Sequence, residues 1–378
     1  MSIRQMKGVA LACLLLPAAA CAQSAPPSAS AITLSGVLDL GLRQVRNAGL
    51  GTDRSVVHGA SSTSRLVIRG QEDLGSGRSA SFFLDSTIVA DTGGAGASAP
   101  SGQFWDRRAT VSLTDRSLGE LRLGRDWVPT QLVWSGFDPF STLGVVSANT
   151  FRSTAASRVL GQAFGTAPET QAANPTLRVS NAVEYFLPSG LGGLHGGLIA
   201  TAGERGTTAA GQTSGRGLRL GWSAGRFMVS AAQFTTRNTR SGQDFVDRSL
   251  GASWNFGDAK LSLAQRRWRH GDDRQVNTLL GLTVAAGAGQ IRLSWVHADQ
   301  SGTSAATNGS DATLLGAGYV HPLSKRTTLY GQVARVSNQG GASFAIPGGP
   351  AVSASPTAAN HFGGRRSTAW EIGLRHDF

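Results

Sequence analysis

Arginine carries nearly all of the positive charge in this chain of 378 residues. It supplies 32 of the 35 basic side chains, against 23 acidic ones. A guanidinium group keeps its charge at any relevant pH and binds carboxylate or phosphate oxygens through a fork of N–H donors. These arginines could therefore bind or steer anions. Alternatively, they could form ion pairs with nearby acidic side chains. Five arginines occupy the polar positions of alternating segments: Arg43, Arg69, Arg108, Arg219 and Arg292.

No catalytic or metal-binding pattern accompanies these arginines. None of the seven histidines belongs to an i, i+4 pair, and neither G-x-S-x-G nor H-E-x-x-H occurs in the sequence. We therefore predict a protein that is not an enzyme and that needs no metal or cofactor. The arginines are spread over many segments instead of clustering with aromatic residues, so we predict no nucleic-acid partner despite the formal net charge of +12.

The N-terminus has the three parts of a secretory signal peptide. Arg4 and Lys7 give a positive start, Val9–Leu16 is a short apolar segment, and Ala20-Cys21-Ala22 is an A-x-A cleavage site. We predict cleavage after Ala22, which leaves residues 23–378 as one domain without cysteine. Lipoprotein processing at Cys21 is the alternative.

The remaining chain is built from two-residue alternation of apolar with small or polar side chains, which is the period of a β-strand. The alternation is clearest in Ile32–Arg43, Gly217–Ala224, Ser249–Phe256 and Trp370–Arg375. The 50 glycines argue against helices, because each costs a helix interior about 1 kcal/mol. No apolar run reaches the ~18–20 residues of a membrane-spanning helix. The sequence predicts an all-β protein.

Short turns and long polar connections alternate down the chain. Seven short and eight long connections imply 16 strands in an antiparallel barrel with one short-turn rim and one long-loop rim. Such a barrel is too wide for side chains to fill, so the polar rows must line a watery lumen and the apolar rows must face lipid. The expected tight turns are Gly75–Gly77, Asp115–Leu118, Pro188–Gly193, Ala224–Gly225, Gly257–Asp258, Gly287–Gly289 and Pro322–Lys325. The expected long connections include Gln44–Thr63, Val128–Leu177 and Gly271–Gln275.

Several segments resemble strands of a known family. The chain ends in an alternating apolar row that finishes on a terminal aromatic residue: Trp370, Ile372, Leu374 and Phe378. Five further segments resemble strands one, two, four, five and six of the trimeric, 16-stranded general porins of the Gram-negative outer membrane, in that order: Ile32–Asp39, Ser64–Gly75, Asp106–Leu113, Gly119–Arg125 and Asn181–Tyr185. The chain is similar to that family from end to end, although three tyrosines are few for it.

The resemblance implies more than a barrel. It implies a third loop, Val128–Leu177, folded into the lumen and carrying Asp138-Pro139-Phe140. It also implies wall arginines that face this loop, at Arg65, Arg125 and Arg178. Alternation puts Arg65 and Arg178 on polar rows, whereas Arg125 shares the row of Leu121 and Leu123 unless a bulge or the strand end intervenes.

Partners and localisation follow from the same resemblance. It implies a homotrimer in outer-membrane lipid and lipopolysaccharide, exported through the periplasm. The C-terminal residues Trp370, Ile372, Leu374 and Phe378 would be the signal read by the barrel-assembly machinery.

The expected function is passive diffusion of small hydrophilic solutes and ions through a water-filled pore. Asp138 is the sole acid between Trp127 and Arg158, while Arg152 lies in the same stretch. Fixed cations in a narrow pore favour anions, so we predict anion preference. Three alternatives stay open: a substrate-specific channel, an outer-membrane barrel hydrolase and a secreted β-rich adhesin.

Overall fold

A computed structural model of the chain describes residues 30–96, 102–166, 174–203, 214–238, 241–303 and 308–378. The predicted signal peptide, with Cys13 and Cys21, lies outside these residues. In the described parts no helix is both long and apolar enough to cross a membrane.

The described elements are eighteen strands, two short α-helices and one 3-10 helix. The strands are β1 (Ala31–Asn47), β2 (Gly51–His58), β3 (Arg65–Gly75), β4 (Arg78–Val89), β5 (Gly94–Ala95), β6 (Arg108–Asp115), β7 (Gly119–Trp127), β8 (Arg178–Phe186), β9 (Leu194–Thr201), β10 (Gly215–Ala224), β11 (Phe227–Arg237), β12 (Asp244–Asn255), β13 (Ala259–His270), β14 (Asp273–Ala286), β15 (Gly289–Ser301), β16 (Ala312–Pro322), β17 (Thr327–Asn338) and β18 (Arg366–Asp377). The helices are α1 (Pro129–Phe137), a 3-10 turn (Ala148–Arg152) and α2 (Arg158–Phe164).

Sixteen of the strands form a closed antiparallel barrel, which confirms the predicted fold. Each pairs with its neighbour in sequence, and β18 pairs with β1 to close the ring. The other two strands are accessory. β2 continues the edge of β1 at Leu40–Asn47, above the part of β1 that pairs with β3, and β5 adds two residues beside β4.

The connections differ from the expected pattern at two places. All seven expected tight turns separate consecutive strands. Gln44–Thr63 is not a simple loop, because β1 runs on to Asn47 and β2 forms a hairpin with it. Gly271–Gln275 was wrongly expected to be long. β13 ends at His270 and β14 begins at Asp273, so only two residues connect them at the long-loop rim.

The two faces of each strand have the predicted polarity. On β18, Trp370, Ile372 and Leu374 are exposed, whereas Ser367 and Glu371 on the opposite row are fully buried. The exposed leucines, isoleucines and tryptophans continue around the whole wall and need an apolar surrounding. The polar rows face the lumen, where some of their side chains hydrogen-bond to the connection between β7 and β8. Closing the sheet also gives hydrogen-bond partners to the backbone N–H and C=O groups of the edge strands, which would otherwise have none in hydrocarbon.

The connection between β7 and β8 packs against the inward rows of the wall. Its buried apolar side chains, among them Trp134, Phe137 and Val146, share one cluster with inward residues of β14 to β17. Glycines in the wall allow the approach, because a Cβ on Gly251 would collide with the Phe137 ring and one on Gly281 would collide with Pro139. The segment therefore lies on the inner side of β11 to β18.

Candidate pore constriction

Arg266 on β13 holds both ends of the segment between β7 and β8. Its guanidinium donates to Oε1 of Gln131 at the start of α1 and to the backbone oxygen of Thr176 just before β8. Two further bonds reach the carboxylate of Asp247 on β12, whose Oδ2 also accepts from Thr130. Arg266 has no solvent-exposed surface. One buried cation therefore fixes where the segment enters and leaves the wall.

Other polar contacts anchor the middle of the segment. The amide of Gln275 on β14 donates to the backbone oxygen of Phe151 and accepts from Ser157. The carboxylate of Glu371 on β18 accepts from the backbone N–H of Val145 and ion-pairs with Arg43 at 2.7 Å. The segment is thus tied directly to β14 and β18, and Glu371 links it to Arg43 on β1 across the barrel seam.

Asp138 organises the segment from within. Its carboxylate accepts backbone N–H bonds from Phe140, Thr142 and Ala148 at 2.9–3.3 Å. Burial raises the pKa of Asp138 from 3.8 to about 6, against the opposing effect of these three donors. The carboxylate is turned into the loop, so it leaves the opposite wall without an acidic partner from this residue.

A cluster of cations lies on the opposite wall. In the ring of sixteen strands β3 and β12 are eight positions apart, so Arg65 on β3 faces the wall on which Phe137 packs. Arg65 pairs in register with Val37 of the inward row and donates to Ser62 and to the backbone of Thr63. With Arg69, Arg107 and Asp85 it lines a cavity of about 430 Å³. Three guanidinium groups therefore share this space with one carboxylate, and Asp85 is ion-paired with Arg107 at 3.1 Å.

Arg178 extends this cluster to the first residue of β8. Its guanidinium lies 3.4 Å from the centroid of the Trp127 ring. Its Nε and Nη2 atoms are buried without a hydrogen-bond partner among the described residues, and its charged neighbours include Arg107. The stacked guanidinium therefore adds its fixed positive charge to that of Arg107.

Arg125 lies at a break in the strand ladder. The register between β7 and β8 shifts between Gly124 and Asp126, and Asn181 on β8 has a positive φ of 55°. The guanidinium of Arg125 donates to the backbone oxygen of Asp106 and to Oγ of Ser180. Simple alternation does not apply at a bulge, which is why sequence parity alone cannot place this side chain.

The other arginines on polar rows differ in how well they are neutralised. Arg108 stacks on Phe83 and lies 3.3 Å from the carboxylate of Asp126, which also binds Arg122. Arg43 is paired with Glu371, as described above. Arg69, Arg219 and Arg292 have no carboxylate within ion-pair distance among the described residues, although Arg292 donates to the backbone of Pro139.

Two functional features were missed by reasoning from the sequence. Arg107 lies just before β6, where no alternation reveals its direction, and its partner Asp85 comes from another strand. Arg266 alternates with the exposed Leu261 and Leu263, so parity in β13 could have placed it inward. Its partners on the loop depend on long-range packing that no local pattern encodes.

Comparison with known proteins identifies the family. A family model describing Gram-negative porins matches residues 8–341. The chain is 33% identical to "Outer membrane porin protein 32" of Delftia acidovorans, over 98% of this chain and 99% of that protein. It is 27% identical to an outer membrane porin protein of Bordetella pertussis, over 99% of this chain and all of that protein.

The chain belongs to the Gram-negative porin family. Among solved structures, it superposes on the "Anion-selective porin from Comamonas acidovorans" with a TM-score of 0.74 and 31% identity, covering 93% of this chain and all of that one. The trimer form of OmpT from Vibrio cholerae matches with a TM-score of 0.62 at 13% identity, which shows the fold alone.

Family membership fixes the class of function. This porin is an outer-membrane β-barrel that forms a water-filled channel for passive diffusion of small hydrophilic solutes, and it is not an enzyme. The barrel-hydrolase and adhesin alternatives are therefore set aside.

Proposed function

We propose that the porin prefers anions, and that Arg65, Arg107 and Arg178 produce the preference. The main observation is the excess of guanidinium groups in the lumen beside β3. Among the described residues that line the cavity with Arg65, Arg69 and Arg107, Asp85 is the one carboxylate. Arg125 belongs to the same group, since it lies among the charged neighbours of Arg178. Arg108 contributes less, because Asp126 neutralises it.

The physical reason is electrostatic. A ring of fixed cations around a narrow watery passage lowers the barrier to anions and raises it to cations. The inner segment leaves this asymmetry in place, because the carboxylate of Asp138 is engaged by its own backbone and its charged neighbour is Arg292, not the arginines beside β3. The related porin from Comamonas acidovorans is described as anion-selective, which supports the same preference here.

We also propose three kinds of partner for the porin: further copies of the chain, the barrel-assembly machinery and outer-membrane lipid. Trimeric forms exist among the structural neighbours, which supports a homotrimer for this chain. The exposed row of Trp370, Ile372 and Leu374, with Phe378 at the seam, is the segment we assign to recognition by the barrel-assembly machinery. Outer-membrane lipid and lipopolysaccharide surround the exposed apolar wall.

The reversal potential in a salt gradient across a planar bilayer tests the anion preference. For wild type we expect a reversal potential with the sign produced by net anion flow. For Arg65→Gln and Arg178→Gln we expect a reversal potential of the same sign that is closer to zero. Arg116→Gln is the matched control, since it removes one exposed arginine from a tight turn outside the lumen. A cation-selective wild type would overturn the proposal. Selective uptake of a single solute class with little salt conductance would favour a substrate-specific channel instead.

A heat-modifiable band on a detergent gel tests the trimer. An unheated sample should migrate as a folded oligomer and a boiled sample as the unfolded chain. Cross-linking that stops at the monomer would contradict the trimer and leave the ion preference untouched.

A further inference from the structure

Four arginines form a compact group on the outside of the barrel. Arg248 on β12, Arg267 and Arg269 on β13, and Arg274 on β14 are all exposed and belong to the outward rows of three adjacent strands. Arg248 shares its row with the exposed Leu250. We call these four residues the arginine plaque. None of them has a place in the lumen or in the constriction described above.

The strand register makes the plaque electrostatically unfavourable by itself. Arg248 lies directly opposite Arg267, and Arg269 lies directly opposite Arg274. Like charges in directly opposed positions of a sheet destabilise it. One strand boundary away, Arg237 instead lies opposite Asp244. Two like-charged pairs side by side therefore indicate that a polyanion from outside the chain supplies the missing counter-charge.

The chain itself supplies little of that counter-charge. The nearest outward acids are Asp244 on β12, Asp299 on β15 opposite Val276, and Asp272 in the turn. In the parts of the chain that the structure describes, no plaque arginine ion-pairs with any carboxylate. With the described residues, three of them bond through Nε alone, to neutral acceptors on Gln233, Gly271 and Ser301. Their terminal amino groups stay available.

The height of the plaque along the wall points to the kind of polyanion. Leu250, Leu263 and Leu280 on the same three strands are strongly exposed and mark the lipid-facing band. Arg267 follows Leu263 by four residues, roughly 13 Å along a strand. The plaque thus lies just above the hydrocarbon on the long-loop side, where the headgroups of outer-leaflet lipids begin. Guanidinium groups bind phosphate there in charge-assisted pairs.

We propose that the arginine plaque is a binding site for the phosphate groups of an outer-leaflet glycolipid, the lipid A part of lipopolysaccharide. Two phosphates on one lipid match two pairs of arginines, and the acyl chains of the same lipid cover the leucines below. A free phosphate ion would use the cations but not the leucines. A second copy of this chain would need an outward acidic group of matching size.

Lipid binding to the intact, detergent-purified porin tests the proposal. The test variant carries R248Q, R267Q, R269Q and R274Q together. The control variant carries R78Q, R116Q, R226Q and R326Q, which removes four exposed arginines at the short-turn rim and so changes the net charge equally. Native mass spectrometry counts the lipids retained from bisphosphorylated lipid A, from dephosphorylated lipid A and from phosphatidylcholine. Single-channel conductance checks that the lumen is intact.

We expect wild type and control to retain bisphosphorylated lipid A and the test variant to bind it roughly tenfold more weakly or worse. Dephosphorylated lipid A should be retained equally weakly by all three proteins, and conductance should be unchanged. Equal retention by test and control variants would overturn the proposal. So would full displacement of the lipid by millimolar pyrophosphate, which would indicate a site for free anions. Loss of the oligomer in the test variant with lipid retention unchanged would show that a second copy covers the plaque.

Discussion

Arg266 on β13 and Asp247 on β12 form an ion pair from which water is excluded. Nη2 of Arg266 lies 2.6 Å from Oδ2 of Asp247, and the two side chains are 0% and 1% exposed. A buried pair of this kind adds little stability over an apolar pair, but the loss of one partner leaves an uncompensated charge. Because Arg266 also binds Gln131 and the backbone of Thr176, the pair links the wall to both ends of the segment between β7 and β8.

Replacement of Arg266 should therefore loosen the constriction. Arg266→Gln strands the carboxylate of Asp247 and removes the bonds to both ends of the segment, at a cost of about 3–5 kcal/mol. We expect noisier open-channel current and entry of larger sugars in a liposome-swelling assay. Arg216→Gln is the matched control, since Arg216 is an exposed arginine on the outer row of β10.

The double variant R266M/D247L separates charge from anchoring. It removes the buried charge of both partners, so the barrel should be more stable than in Arg266→Gln. The segment should still be loose, because the bonds to Gln131 and Thr176 are lost in both variants. If Arg266→Gln and Arg216→Gln gave equally quiet channels of equal size limit, Arg266 would have no positioning role.

Substitution of Asp85 and substitution of its partner Arg107 should change the ion selectivity of the pore in opposite directions. Asp85→Asn removes the carboxylate beside Arg65 and should increase the anion-to-cation permeability ratio. Arg107→Gln removes a cation and should decrease it. One unit charge at 4 Å in a water-like medium contributes about 1 kcal/mol, so each ratio should change roughly fivefold. Reversal potentials in a salt gradient measure both, and a shift in the same direction for both variants would refute this assignment.

Much of the wall was predictable from the sequence, and the reason is the period of two. Alternation fixes which side of a strand a residue occupies, so the apolar row of Trp370, Ile372 and Leu374 could be placed outside without coordinates. Tight turns were recognisable because glycine, proline and aspartate mark them locally. These two signals suffice for the number of strands in an up-and-down barrel.

The site was less predictable, because its geometry depends on contacts between distant residues. Arg43 and Glu371 are 328 residues apart, and only closure of the ring brings them together. Arg125 could not be placed by parity because the ladder beside it is irregular. The resemblance placed Asp138 in the third loop, but the three N–H groups of that loop that its carboxylate binds could not be read from the sequence. Alternation along the sequence predicts the side of the strand on which a residue lies, but strand register and loop packing determine which residues its side chain contacts.

Asp138 should make the stability of the porin depend on pH. Its pKa in the folded protein is about 6, above the ordinary 3.8, so between about pH 4 and pH 6 the folded chain holds a proton that the unfolded chain has lost. Lowering the pH through that window therefore favours the folded loop. Wild type should gain more thermal stability between pH 7 and pH 5 than Asp138→Asn does, because the amide cannot take up the proton. An infrared band of a protonated carboxyl near pH 5 should be missing from the variant, and identical pH profiles would contradict the assignment.

Phe378 closes the seam between the last strand and the first. Its backbone N–H donates to the oxygen of Gly36 at 3.0 Å and its carbonyl oxygen accepts from the N–H of Gly36 at 2.9 Å. Deletion of Phe378 removes these bonds and the terminal ring together, whereas Phe378→Ala removes the ring alone. We expect the yield of heat-modifiable barrel in the outer membrane to fall most in the deletion, less in Phe378→Ala and not at all in Asp377→Asn. If Phe378→Ala assembled as poorly as the deletion, the ring and not the seam hydrogen bonds would control assembly; a deletion variant that assembled normally would show that neither does.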